Sequence, residues 1–175
     1  MDAREKQEVL ESLENGRGAL LAELDGLTED AASRVPEPGR WSVLECVEHL
    51  FLVEDYLFRQ IESSQPSETP VGSRGREARI LQRGVDRTSR IEAPEVARPT
   101  GRFPTFAEGL QAFVSSRERT LRYVHACRED QRFRTAHHPL IGPMNCHEVL
   151  LIMAIHPRRH AAQIHEIRNA VSATR

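Results

Sequence analysis

Four long segments of this chain carry apolar residues at the spacing of an α-helix, and this pattern constrains the fold more than any other feature. Three of the segments open with a capping box, in which Ser, Thr or Asn is followed three residues later by Glu. The boxes pair Ser42 with Glu45, Thr105 with Glu108, and Asn145 with Glu148. We find no stretch with the convincing alternation of a strand. The pattern therefore predicts an all-α four-helix bundle, in an up-down variant.

The predicted helices span most of the chain. The first covers about residues 3–26, although Gly16 and Gly18 weaken its middle. A length of 175 residues suits one domain with one core, and we assign residues 1–175 to it. The other three predicted helices begin at the capping boxes and continue to Ile61, to Val124 and to about Ile167.

A long connection, roughly residues 63–104, joins the second and third predicted helices and is rich in Pro, Gly, Ser and Arg. Within it, "REARILQRGVD" (76–86) predicts a short helix. Residues 73–102 hold eight arginines against four acids, so this segment is locally basic. Two interpretations are open: a solvated loop in an Arg-rich protein, or a lid or rim that attracts an anionic substrate.

Composition and charge limit the partners and the cellular compartment that we expect for this protein. The formal net charge of −2 gives no argument for binding nucleic acid or an anionic membrane, and no helix carries a basic stripe. The longest apolar run, "VLLIMAI" (149–155), is too short to span a bilayer. The N-terminal residues lack the apolar core of a signal peptide. Three cysteines without a CxxC motif suggest reduced thiols. We therefore expect a soluble, cytoplasmic protein.

Three histidines lie on inward-facing positions of the predicted helices. His156 and His160 are one turn apart on the core-facing stripe of the last helix, and His49 lies on an inward flank of the second. A buried imidazole is costly unless its ring nitrogens find partners, and one divalent metal would satisfy all three rings. The other interpretation is a set of satisfied core histidines. The "HPRRH" spacing lacks the glutamate of HExxH metalloproteases, which disfavours that class.

Other side chains near this candidate site either are candidates to support it or are expected in caps, in the core or at the surface. Gln163 lies on the same face one turn beyond His160 and is a candidate to orient a metal ligand. Glu45 and Tyr56 are further candidates, although helix capping explains Glu45 better and core packing explains Tyr56 better. We predict that Arg158 and Arg159 point away from the histidines. His137 and His138 are expected on a loop at the pocket mouth or on the surface, and Cys46 in a packing role.

Two motifs resemble those of the DinB/YfiT-like superfamily of bacterial four-helix bundles. They are "WSVLECVEHL" (41–50), with a tryptophan and a capping residue before a histidine, and "HPRRHAAQIHEIR" (156–168), with HxxxH, Gln-Ile and an arginine. The stretches "APEVARPTGRFPTFAEGLQAF" and "HHPLIGPMNCHEVLL" resemble the same family. The resemblance extends from the first helix to about residue 168.

The resemblance implies a metal site and a range of reactions. The metal-binding histidines of the family correspond to His49, His156 and His160, which would hold zinc, nickel or iron with positions left open to water. Relatives include transferases that use a low-molecular-weight thiol, a thiol-dependent isomerase and metal-dependent hydrolases acting on small molecules. Many relatives form homodimers. Family membership therefore predicts the metal-binding residues better than it predicts the reaction.

Pro157, directly after the first histidine of the pair, departs from the family pattern. It cannot donate to the carbonyl of Met153, and its ring is expected to kink the helix. The kink would either turn His156 toward a metal or be tolerated by local repacking, which we favour.

Three functional hypotheses follow, and they differ in how the histidines are used. The first is a metal-dependent enzyme, a thiol S-transferase or a hydrolase acting on a small molecule. The second is a non-catalytic metal-binding protein of a stress response. The third is a helical scaffold with core histidines. A fourth coordination position open to exchange would favour the first hypothesis.

Overall fold

Helices and a small sheet follow one another along the chain. The computed structural model describes residues 1–88 and 91–173. The helices are α1 (Ala3–Leu24), α2 (Glu29–Ser33), α3 (Val43–Glu62), α4 (Arg74–Arg83), α5 (Phe106–Ala126) and α6 (Cys146–Ala173), and the strands are β1 (Gln65–Pro66), β2 (Arg134–His138) and β3 (Gly142–Asn145). Single 3-10 turns occur at Glu95–Ala97 and Gln131–Phe133. Arg90, one of the arginines of the basic segment, and residues 174–175 of the assigned domain lie outside the described residues.

The long helices begin where the capping motifs predicted. Ser42 accepts from the N–H of Glu45, whose carboxylate accepts in return from the N–H of Ser42. Asn145 and Glu148 make the same reciprocal pair. The hydroxyl of Thr105 accepts from the N–H of Glu108. The first two donors of α5, the N–H groups of Phe106 and Ala107, bind the carboxylate of Glu29 from α2.

The four long helices form the predicted bundle, but with an arrangement that the sequence did not specify. Around the bundle the neighbours are α1 with α6, α6 with α3, α3 with α5, and α5 with α1. Helices α1 and α3 are consecutive among the four bundle helices, but they lie diagonally opposite each other in the bundle. Helices α5 and α6 are arranged in the same way. The core has two parts, one around Leu13, Leu57 and Leu150 and the other around Leu20, Phe113 and Ile164.

A three-stranded antiparallel sheet corrects the expectation that the chain has no strands. Its order is β1-β2-β3, and β2 places Thr135 opposite Asn145, the capping residue of α6. The strands are two to five residues long, too short for an alternating pattern to stand out in the sequence. Gly142, with φ +81°, takes a left-handed conformation at the β2–β3 turn, which glycine adopts without strain.

The predicted short helix in the basic connection is α4, and it packs against α6. Buried ion pairs hold it in place. Glu77 accepts from Arg132 at 2.6 Å, and Arg76 donates to the buried carboxylate of Glu148 at 2.5 Å. Helix α4 is therefore fixed over one side of the bundle, where it lines a cavity. Over residues 1–88 and 91–173, no helix has the length and apolar character needed to cross a bilayer.

Candidate metal centre

The structure brings His49, His156 and His160 together between α3 and α6. Nε2 of His156 lies 3.3 Å from Nε2 of His49 and 3.0 Å from Nε2 of His160. One ring nitrogen from each histidine lies within 4.8 Å of the other two. His49 and His160 are buried, whereas His156 is partly exposed. Three ring nitrogens of three helix-borne histidines therefore converge on one point.

The 3-10 turn at Glu95–Ala97 orients His49. Its Nδ1 is 2.6 Å from the carbonyl oxygen of Ala97, which can only accept, so we assign the proton to Nδ1. In the neutral ring this leaves a lone pair on Nε2, the atom that faces the other two histidines. The ring of Trp41 also packs against the His49 ring, with ring centroids 4.9 Å apart. A backbone acceptor of this kind is the usual partner of a metal-binding histidine.

Glu48, which the sequence analysis did not single out, anchors the segment that carries Ala97. Its buried carboxylate accepts from the backbone N–H groups of Thr100, Gly101 and Arg102, at 2.7, 3.1 and 3.1 Å. Glu48 directly precedes His49 on α3, so one turn of helix holds both the ligand candidate and the segment that orients it. A glutamate beside a histidine is too common a pair for this role to be read from the sequence.

The site favours neutral imidazoles. Burial lowers the pKa of His156 and of His160 well below the ordinary imidazole value, and the adjacent histidines and the Arg159 guanidinium lower it further. Burial also lowers the pKa of His49, although the hydrogen bond with Ala97 acts in the opposite direction. Neutral rings with converging lone pairs are the form in which histidine binds metal.

The donor set fits a divalent transition metal. With zinc–nitrogen bonds of about 2.0–2.1 Å, tetrahedral coordination separates ligand nitrogens by about 3.3 Å. This value is close to the distances of His156 Nε2 from the Nε2 atoms of His49 and His160. Nδ1 of His160 is buried and has no hydrogen bond of ordinary geometry to any described residue. Gln163 is close enough to this ring to favour its protonated form, but burial has the larger effect.

The other predicted site residues take different places. Gln163 and Tyr56 line the cavity next to the histidines, and Tyr56 also packs against the core. Glu45 lies at the start of α3, where its carboxylate caps the helix. Cys46 is buried, and burial raises the pKa of its thiol to about 12, as expected for a packing residue. His138 belongs to strand β2 rather than to a loop, and its side chain lines the cavity.

Arg159 corrects the prediction that both arginines of "HPRRH" point away from the histidines. Arg158 is exposed, but Arg159 is half-buried and lines the same cavity as His156 and His160. Burial lowers the pKa of Arg159, and the neighbouring Arg87 guanidinium lowers it further. The prediction failed because α4 and the chain that follows it cover the side of α6 that a lone helix would leave to solvent.

A fully buried arginine accommodates Pro157 within α6. The proline cannot donate to the carbonyl of Met153, and Arg117 of α5 donates to that carbonyl at 2.7 Å instead. The same guanidinium also donates to the carboxylate of Glu54 at 2.8 Å and to the carbonyl of Leu13 at 3.0 Å. The Met153 acceptor is thus satisfied from a neighbouring helix, which is repacking of the kind that we favoured.

The histidines face a cavity of about 1110 Å³ between α3, α4, α6 and the β2–β3 turn. This volume is in the range of sites that hold small molecules and cofactors. Its wall combines apolar residues with several arginines. A ligand in the cavity would therefore lie directly against the histidines.

Comparisons with known proteins are consistent with this architecture. A sequence model of the DinB superfamily matches residues 12–164. Among solved structures, YfiT from Bacillus subtilis superposes with a TM-score of 0.60 at 16% sequence identity, covering 98% of this chain and 90% of that one. YfiT is described as "a probable metal-dependent hydrolase with an unusual four-helix bundle topology". The four-helix bundle protein TT2238 superposes with a TM-score of 0.52 at 23% identity, covering 96% of this chain and 98% of that one. A search of curated proteins found no significant match.

Proposed function

Since the chain belongs to the DinB superfamily, we propose that His49, His156 and His160 bind one divalent metal ion in an enzyme that acts on a small molecule. The observation that carries the proposal is the convergence of three imidazoles at the wall of a large cavity. Three imidazoles leave at least one coordination position for a water molecule or a substrate, and the cavity gives access to it.

The chemistry expected of the site is hydrolysis or transfer to a thiol. A divalent cation held by these histidines would act as a Lewis acid and lower the pKa of a bound water or thiol. Hydrolysis is supported by the description of YfiT, and transfer to a low-molecular-weight thiol by the resemblance in the sequence motifs. The homodimer stays a prediction of the same resemblance.

Residues near the three histidines would orient a metal ligand and contact a bound molecule. The carbonyl of Ala97 fixes the tautomer of His49, so that Nε2 is free to bind without rearrangement. Gln163 lies beside His160 on the cavity wall and offers an amide group to a bound ligand. The partly buried cavity strengthens the electrostatic interactions of whatever it holds.

Cobalt substitution tests the open coordination position. The metal is removed, Co²⁺ is added, and the visible spectrum is recorded before and after addition of a simple thiol. We expect the Co²⁺ spectrum to change on thiol addition, because a site with a free position exchanges its water. A Co²⁺ spectrum that does not change when thiols or other small ligands are added would instead support the non-catalytic metal-binding alternative. The variant H156A/H160A, expected to bind no Co²⁺, is the control for adventitious metal.

A further inference from the structure

We propose that the cavity beside the histidines recognises a small organic anion, with its acidic group at Arg159 and its apolar part along the outer wall. The proposal rests on the proposed function in taking this ligand to be the substrate. The subsite itself is formed by side chains other than the three histidines, so it can be tested separately.

The charged side chains of the cavity wall are mostly positive. Among the described residues that line it are seven arginines and a single carboxylate, that of Glu92. Some of this charge is balanced locally, because Arg76 pairs with Glu148 and Arg98 lies 4.0 Å from Glu92. Glu166 pairs with Arg87, and the Asp86 carboxylate acts on the Arg159 guanidinium, so the other arginines of the wall are Arg40, Arg79 and Arg83. The cavity therefore attracts anions although the whole chain has a formal net charge of −2.

Arg159 is the arginine placed to touch a ligand bound at the histidines. It lies on α6 between His156 and His160 and lines the same cavity. Three of the arginines at the rim, Arg40, Arg79 and Arg83, are exposed, so water screens their charge. A half-buried guanidinium gives a carboxylate or another acidic group a stronger and more directional contact than these can.

Arg87 places a second guanidinium at the same end of the cavity. It donates to both carboxylate oxygens of Glu166, at 3.2 and 2.6 Å, and lies 3.4 Å from Oε1 of Gln163. Glu166 balances its charge and holds the group in place. The acidic end of a ligand at Arg159 would thus lie near both Arg87 and the Gln163 amide.

The outer wall of the cavity is apolar. Ile91, Val96, Leu140 and Ile141 line it and are 63, 49, 56 and 51% exposed. Large apolar side chains that share one cavity while exposed to this degree gain free energy when a ligand covers them. An inorganic anion would leave them uncovered. The combination of an arginine end and an apolar wall therefore favours an organic anion with a hydrocarbon body.

Two fluorescent probes test the subsite in metal-free protein. Anilinonaphthalene sulfonate carries an acidic group on an apolar body, and phenylnaphthylamine has a similar body without charge. We expect R159Q to weaken binding of the sulfonate about tenfold, the loss of roughly one charge-assisted hydrogen bond. Binding of the uncharged probe should change less than twofold. R158Q removes the same charge from the exposed neighbour and should leave both probes unaffected.

Equal weakening of the sulfonate by R158Q and R159Q would overturn the proposal, and so would equal loss of both probes in R159Q. R159K, which keeps the charge, is the second variant and should retain most of the sulfonate affinity. Circular dichroism establishes that each variant is folded. Because the probes are measured without metal, loss of the anion subsite and failure of the metal proposal give different results: the first changes probe binding and the second changes metal content.

Discussion

At the scale of single residues, Arg117 does the most to make the histidine pair compatible with a proline between its members. Its guanidinium is fully buried and donates to three acceptors from three other helices: Glu54, Leu13 and Met153. The Met153 carbonyl is the one that Pro157 leaves without its helical donor. A buried charge is favourable only while its partners are all in place, so the network is sensitive to any single deletion.

We therefore predict that R117M lowers the free energy of unfolding by about 3–5 kcal/mol, since it leaves the Glu54 carboxylate buried without its cation. The double variant E54M/R117M should recover part of this loss, because no unpaired charge is left. Urea unfolding followed by circular dichroism measures both.

The matched control for R117M is R119M. Arg119 lies two residues further along α5, is partly exposed and pairs with Asp55 of α3. The cost of R119M should be about 1 kcal/mol or less. If R117M cost no more than R119M, the buried network would not have the structural role described for it.

At the scale of elements, the packing of α1 against α6 depends on one glycine. A Cβ at Gly16 would lie inside the van der Waals distance of the Ala154 carbonyl oxygen and 3.8 Å from the Pro157 ring. Gly18, two residues along the same helix, has no heavy atom within 4 Å of the corresponding position and is exposed. The two glycines look alike in the sequence, but only Gly16 lets the helices approach.

The pair G16A and G18A tests this difference. G16A should lower the free energy of unfolding by about 1–3 kcal/mol, because the added methyl group pushes α1 away from α6. G18A should raise the same quantity by about 0.5–1 kcal/mol, since alanine is the better helix former. Thermal or urea unfolding of the two variants measures both signs. Stabilisation of the protein by G16A would refute the close approach of the helices.

At the scale of the whole molecule, the sequence predicted the features that neighbouring residues determine. It did not predict the features that depend on contacts between segments far apart in the chain. The bundle helices follow from capping residues such as Ser42 and Asn145, and helical periodicity assigned His49, His156 and His160 to inward faces. The short sheet and the position of Arg159 depend on chain that lies far away in sequence. Arg159 faces a cavity only because the connection between α3 and α5 crosses that side of α6.

The most direct test of the metal centre is metal content by plasma mass spectrometry. Untagged protein purified without chelator and offered zinc, nickel and iron is compared with H156A/H160A, and with H125A/H137A as a control that removes two exposed histidines. We predict about one metal ion per chain in the parent and the control, and almost none in H156A/H160A. A parent protein that takes up none of the three metals, or an H156A/H160A variant that keeps its metal, would contradict the proposed function.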